Sequence, residues 1–323
     1  MKFIVAVPSC NESSGGCNVL MNLAKKLSEY GHDSKVLVID KKYTSTIYTN
    51  YYTEDTIDND IILIVPEGTY NTFLNTRITI RWILFGSESY PTYNKNEIIY
   101  YFAPFCKNNP ANKRLSLNYW PSGVENKNLV RTNESCYIGH KGMANPLICY
   151  MFTNNKLPLK GINLQGYSHK SIIEIFNNTK YFYCYDPCSF LVVMALMCGC
   201  IVIQYPIIGY SAEEWRYATN LIPSLNGISY GHDNLAHAEA TIGYAATDYL
   251  KLKEENELTL QKFINDMETG NYTNEPCYPF NDSPFALAPK SLLLYEGDNP
   301  RINVLYNEIL QSLTPQKFFG NLI

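Results

Sequence analysis

Three short stretches carry groups able to hold an anionic ligand. SCNESSGGCN places Gly15 and Gly16 in a polar loop after an apolar run. Glycines there either let the chain turn tightly or let a ligand approach the backbone, and spacing leaves both readings open. YIGHKG sets His140, Lys141 and Gly142 behind a second apolar run. Lys141 is a point charge suited to a phosphate, or a plain solvated loop lysine; His140 beside it can orient a phosphate or a sugar hydroxyl. YDPCS puts Tyr185, Asp186 and Ser189 ahead of the most apolar segment of the chain. A helix that starts there points its free amides and the positive end of its dipole at a bound anion.

Proton transfer needs a carboxylate or an imidazole. Glu12, Glu67 and Glu88 are the candidate general bases, each also readable as an ordinary loop carboxylate. Glu67 leads because it directly follows the apolar run IILIVP. His32 reads as structural, in a GH turn before a strand; His169 as a helix cap; His232 and His237 as surface residues near a helix start. No Ser/His/Asp arrangement can be assembled. Asp58-Asn59-Asp60 has the spelling of a D-x-D metal motif but precedes an apolar run, whereas ligand loops follow strands, so it reads as a turn and no metal is expected.

The elements that must position these groups are legible from periodicity. Phe3–Val7 is a strand; Val19, Leu20, Leu23, Ala24 and Leu27 share one helix face; Gly31 closes that helix before a strand over Lys35–Ile39. This βαβ unit lacks the G-x-G-x-x-G spacing of the dinucleotide fingerprint. Ile61–Val65 and Ile98–Phe102 are further strands, separated by a helix-like segment containing Arg77, Arg81 and Trp82. The polar stretch from Ser122 to Asn133 marks a domain boundary, after which the pattern restarts with strands at Cys136–Gly139, Ile162–Leu164 and Lys180–Cys184. Asp186 is the expected N-cap of the next helix, with Pro187 in its first position, Gly199 as its end and Cys200–Gln204 as a buried strand. Ala212–Thr219 and Leu235–Met267 read as helices, Gly227–Tyr230 as a strand and Asn271–Pro289 as an irregular excursion, followed by a helix marked by Val304, Leu305, Ile309 and Leu310. Alternating strands and helices argue for an α/β chain of two Rossmann-like domains facing across a cleft, with bounds 1–125, 126–265 and a tail at 266–323.

Composition removes several classes. The 323 residues are 46% hydrophobic and 17% charged, enough for two cores, with no apolar segment long enough to span a membrane. The N-terminal apolar run stops at Pro8 and reads as a strand rather than a signal peptide. Net charge is −4 and no long basic run occurs, which disfavours nucleic acid as a partner. Of the 10 cysteines, Cys184/Cys188 and Cys198/Cys200 form close pairs, but three of these four sit inside apolar helix or strand patterns, so they read as buried free thiols rather than a metal site, which suits a reducing, cytoplasmic setting.

Three motifs resemble those of GT-B glycosyltransferases over most of the chain to about Phe263. SSGGCNVLMNLAKKLSEYGHDSKVLVID resembles the Gly-rich loop, helix, GH turn and strand that open many such enzymes; YIGHKG is similar to the strand and basic loop opening their second domain. DPCSFLVVMALMCGCIVI resembles the nucleotide-sugar segment in which two glutamates flank seven residues, with Ala195, Gly199 and Val202 fitting the stretch that follows. Asp186 stands at the first glutamate position and Met194 at the second, where the family has a ribose-binding carboxylate. A weaker likeness of IILIVPEGTYNTFLNTRITIRW to a "PE … RW" stretch of some glycan-synthesis transferases favours Glu67 and Arg81.

The resemblance implies transfer of a sugar from a nucleotide-diphosphate sugar to a glycan or lipid-linked acceptor, without a resident cofactor. A lipid-linked acceptor would bring the protein to a membrane surface as a peripheral partner. Glu67 would be the base; Gly15 and Gly16 would meet the acceptor; His140, Lys141, Gly142, Tyr185, Asp186 and Ser189 would hold the donor. Met194 favours the other reading, a non-catalytic GT-B-like sugar- or nucleotide-binding protein.

Overall fold

The computed structural model describes residues 1–10, 14–40, 45–53, 60–67, 69, 76, 78–84, 97–104, 113–139, 161–207, 210–219 and 222–272. Its contacts divide the chain into two units. One is Met1–Trp120 with the described chain from Leu252 on; the other is Pro121–Lys251.

The first unit holds a six-stranded parallel sheet in the order β2-β1-β3-β4-β5-β6. Its strands are β1 (Lys2–Ser9), β2 (Asp33–Asp40), β3 (Ile61–Pro66), β4 (Ile78–Ile83), β5 (Ile98–Tyr101) and β6 (Lys113–Arg114). Helix α1 (Gly15–Glu29) packs on β1 and β2, and Gly31 turns the chain at φ +85°, a conformation only glycine adopts at little cost. Ile4, Ala6, Ile61, Leu63 and Val65 form a buried cluster in this sheet.

The segment read as helix-like around Arg81 and Trp82 is strand β4. ITIRWI is rich in β-branched and aromatic residues, five of its six residues are buried, and it pairs parallel with β3 on one side and β5 on the other, so the run behaves as a central parallel strand. The buried charge of Arg81 had obscured that pattern: it is 4% exposed and donates twice to Glu97, Nε to Oε2 at 2.9 Å and Nη2 to Oε1 at 2.7 Å.

The second unit holds a five-stranded parallel sheet in the order β11-β10-β9-β7-β8. The strands are β7 (Asn133–Ile138), β8 (Ile162–Asn163), β9 (Thr179–Cys184), β10 (Ile201–Gln204) and β11 (Ile228–Tyr230). Helices α2 (His169–Asn178) and α3 (Phe190–Met197) lie between these strands in sequence, as does α4 (Ala212–Thr219); α5 (Leu235–Thr269) starts in this unit and ends in the first. Phe176 of α2 meets Phe182 edge-on, while Ala238 of α5 packs with Tyr181, Ile201 and Ile203. Alternate residues of β9 therefore serve two covered faces. No helix among the described residues is long and apolar enough to cross a membrane.

Both sheets reverse their strand order once, between β1 and β3 in the first and between β7 and β9 in the second. In open parallel sheets the loops beyond the strand C-termini at such a reversal form the ligand crevice. The topology thus selects the chain after Ser9 and after Pro66 in one unit, and after Ile138 and Cys184 in the other.

Candidate functional site

At the first reversal, Ser14 N-caps α1, its hydroxyl accepting from the Cys17 amide at 3.4 Å. Gly15 and Gly16 are the first two helical residues, and neither is among the glycines with positive φ. A Cβ on Gly15 would meet nothing within 4 Å, and one on Gly16 would meet Leu84 Cδ1 at an ordinary 3.7 Å. Backbone strain therefore does not demand either glycine, which removes the tight-turn reading and leaves the open surface at the helix start.

Glu67 follows β3 directly, and its Oε2 accepts from the Leu84 amide at 2.7 Å, just beyond β4. The carboxylate is thereby held across the ends of two adjacent strands and is half-buried. Arg81 is buried within β4. Besides Glu97 it donates Nη1 to the carbonyls of Pro66 (2.7 Å) and Thr69, so it pins the residues on either side of Glu67. Glu12 and Glu88 lie outside the described residues.

At the second reversal the expected cap is corrected. The N-cap of α3 is Ser189, whose hydroxyl accepts from Leu191 N at 3.3 Å; the helix starts at Phe190, not at Pro187. Asp186 instead closes a local turn, its Oδ1 accepting from Cys188 N at 3.0 Å, a geometry short polar side chains favour over helix entry. Tyr185 is buried, its amide donates to Ile138 O at 3.1 Å, and burial raises its phenol well above the usual range. Trp215 of α4 fixes the same turn through Nε1 to Pro187 O at 2.8 Å. His140, Lys141 and Gly142 follow the exit of β7 in sequence and lie outside the described residues.

Met194 is fully buried in the second turn of α3. Residues 192–197 of that helix are all buried, so a carboxylate at position 194 would be desolvated in the core rather than presented to a ribose.

Sequence reasoning missed a second group at the same strand ends. Gln204 closes β10, Tyr205 follows it, and Gly231-His232 form the turn into α5. With Tyr183 and Tyr185 they line a recess whose enclosed part measures about 10 Å³. His232, read from sequence as a surface residue, is half-buried with its ring 6.0 Å from that of Tyr183, and burial lowers its pKa. The available signal was Gln204 itself, a polar residue closing the apolar run CIVIQ. His169 is the first residue of α2, and Ser168 is its cap.

Cys10, Cys17, Cys136, Cys184, Cys198 and Cys200 are buried free thiols, and Cys188 is a partly exposed one. Burial raises the thiol of Cys198 to about 11. Among the described residues no group of His, Cys, Asp or Glu is placed to hold a metal.

No protein-family model and no curated protein matches the chain. Solved structures do match. A T4 phage BGT mutant in complex with UDP-glucose aligns with TM-score 0.51 at 11% identity, over 81% of this chain and 98% of that one. A structure of the DNA-modifying enzyme β-glucosyltransferase, with and without uridine diphosphoglucose, aligns with TM-score 0.51 at 11% identity, over 83% and 100%. An α-glucosyltransferase in complex with UDP-glucose and DNA containing an abasic site gives TM-score 0.44 at 11% identity, over 90% and 98%.

The likeness to the β-glucosyltransferase overturns the exclusion of nucleic acid, since a protein built this way is a DNA-modifying enzyme. Net charge and the lack of a continuous basic run were the wrong measure. Phosphate contacts are assembled by the fold from cations distant in sequence, so a chain of net charge −4 can still carry them. With two parallel sheets, each reversing once, the chain has the fold of the GT-B glycosyltransferases.

Proposed function

We propose that this protein is a glycosyltransferase that moves a sugar from a nucleotide-diphosphate sugar to an acceptor hydroxyl. The observation that carries the reading is the GT-B topology with candidate groups at both strand-order reversals: Gly15, Gly16 and Glu67 at one, Tyr185, Asp186 and Ser189 at the other. In this reading the diphosphate lies at the start of α3, where helix amides and dipole favour an anion, and Lys141 supplies the cation. Asp186 shapes the turn through Cys188 N rather than meeting the phosphates. The acceptor oxygen attacks the anomeric carbon, the bond from that carbon to the phosphate oxygen breaks, and the acceptor proton passes to Glu67. The nucleoside diphosphate leaves with the bonding pair.

For the acceptor we favour a hydroxyl on DNA, because a DNA-modifying glucosyltransferase shares the fold. A glycan or lipid-linked acceptor is the second reading, supported by the likeness of the stretch around Glu67 and Arg81 to some glycan-synthesis transferases. The test is transfer of radiolabelled sugar from a panel of nucleotide sugars to DNA carrying a hydroxymethylated base, and in parallel to glycan and lipid-linked acceptors. Transfer to one acceptor class selects between the two readings. Donor binding with neither transfer nor hydrolysis selects the non-catalytic alternative, which methionine in place of a ribose-binding carboxylate at position 194 favours. Absence of binding by every nucleotide sugar refutes the proposal. Glu67→Gln is expected to abolish turnover with donor binding intact; full turnover removes Glu67 as the base.

A further inference from the structure

Gln204 is fully buried at the end of β10. Its Nε2 donates to the carbonyls of Asp186 at 3.1 Å and Tyr205 at 3.2 Å. Two carbonyl acceptors fix the orientation of the amide, since the flipped form would set oxygen against oxygen. Oε1 is left as the unengaged atom, buried and with no hydrogen-bond partner among the described residues. Buried polar atoms are retained where something supplies the missing partner, and here that partner must be a donor.

The space beside Gln204 says what the donor is. The recess is walled by Tyr183, Tyr185, Tyr205, Pro206 and His232, and its enclosed part of about 10 Å³ admits one group the size of a water. Counted out to solvent, the concavity reaches about 280 Å³ and has aromatic sides. A phosphate brings only acceptors and is repelled by Oε1. A uracil ring N–H sits between two carbonyl oxygens and again opposes oxygen to oxygen, and the amino edge of any other base brings a planar ring too wide for an opening that admits one water-sized group. No carboxylate lines the recess to attract a cation. A sugar hydroxyl is water-sized, donates, and is carried on a ring whose C–H face packs on aromatic side chains.

We propose that this recess is a pyranose subsite: one hydroxyl of a hexose enters it and donates to Gln204 Oε1, while the ring lies in the mouth against the tyrosines and His232. The inference deepens the nucleotide-sugar reading and rests on it for the source of the hexose, which is either the donor's sugar or a sugar already on the acceptor. Gln204 is then the residue that reads one hydroxyl position.

Calorimetric titration of the full chain with UDP, UDP-glucose, singly deoxygenated UDP-glucose analogues and methyl glucoside tests it. The expected result is that removing one particular hydroxyl weakens binding about two- to tenfold, the worth of one such hydrogen bond. In Gln204→Leu that penalty disappears, read as the affinity ratio of the deoxygenated to the parent sugar so that any change in UDP affinity through the Asp186 turn cancels. Tyr183→Leu, which leaves the amide in place, should weaken every hexose and not UDP, so it decides the matter if Gln204→Leu fails to fold. A hydroxyl dependence seen with UDP-glucose assigns the donor sugar; one seen only with methyl glucoside assigns the acceptor. If methyl glucoside shows the dependence and neither UDP nor UDP-glucose binds, the nucleotide-sugar reading fails and the subsite stands. If no deoxygenation matters, if the penalty persists without Gln204, or if nothing binds, the recess holds a structural water only and the subsite is refuted.

Discussion

Arg81→Met should be among the most damaging single changes in the first unit, and its cost can be worked from the contacts. Arg81 and Glu97 have side chains only 5% and 3% exposed, joined through two hydrogen bonds of 2.7 and 2.9 Å. Methionine fills much of the space but leaves Glu97 as an uncompensated buried charge, a loss of about 3–5 kcal/mol. The Pro66 and Thr69 carbonyls lose their donor as well, at about 1–3 kcal/mol each if no water replaces it. Part of this is returned because the guanidinium is no longer desolvated, so the net cost stays near 4 kcal/mol rather than the sum. For a unit of this size each kcal/mol moves the melting midpoint by roughly 2–4 °C, which places the expected drop at about 10 °C. The double variant Arg81→Met/Glu97→Leu removes both charges and should recover most of that loss, leaving only the carbonyl term. Scanning calorimetry on the three proteins is the assay. A drop under about 3 °C in the single variant, or a double variant no more stable than the single, refutes the claim that a buried charge pair pins the residues around Glu67.

Arg131→Ala should destabilise the second unit by about 2–4 kcal/mol in urea unfolding, because its guanidinium donates to the carbonyls of Phe176, Thr179 and Cys198 and so caps two helix ends at once. Gly161→Ala should prevent folding or soluble expression, since φ is +106° and the new Cβ would sit 1.9 Å from the backbone oxygen of Ser135; a soluble, cooperatively melting variant would contradict this. Ser189→Ala should cost about 1 kcal/mol in denaturant unfolding through loss of the α3 cap, whereas Asp186→Asn, which keeps an acceptor for Cys188 N, should cost less. For His32, burial, with the N-terminal amine second, lowers the folded pKa below that of the unfolded chain. The unfolded state then binds the proton more readily, so stability is fully present above about pH 6.5 and declines as pH falls through the interval down to the folded pKa. His32→Leu should flatten that part of the stability profile, and an unchanged slope would assign it to other groups.

Much of the architecture was legible because its signals are local. The cores of strands β1, β3 and β10 are continuous apolar runs, the pattern of a sheet covered on both faces. Gly31 and Gly199 end helices at φ +85° and +73°, as their places in the pattern suggest. Strand β4 was hidden because Arg81 interrupts its apolar pattern, and the partner that neutralises it, Glu97, lies sixteen residues away with no local spacing to announce it. Buried ion pairs are long-range facts, and periodicity carries none of them.

The start of α3 shows the same limit at the scale of one residue. Asp186-Pro187 and Ser189-Phe190 are both acceptable helix entries by propensity, and the D-P pair is the stronger local signal. Tertiary partners decide between them. Gln204 Nε2 takes the Asp186 carbonyl, Trp215 Nε1 takes the Pro187 carbonyl, and the Asp186 carboxylate closes on Cys188 N. Two of these contacts come from beyond the helix, so the carbonyls of residues 186 and 187 are engaged outside it and the helix opens at Phe190. The consequence reaches the candidate site. Entry at Phe190 turns position 194 into the core, which makes methionine the physically suitable residue there. It also ties the turn after β9 to the end of β10 through one amide, so the side chain that sets where the helix begins belongs to a residue that lines the recess and keeps an Oε1 without a hydrogen-bond partner among the described residues. A substitution at Gln204 should therefore shift both the geometry of the α3 start and hexose recognition, whereas Ser189→Ala should affect the first alone.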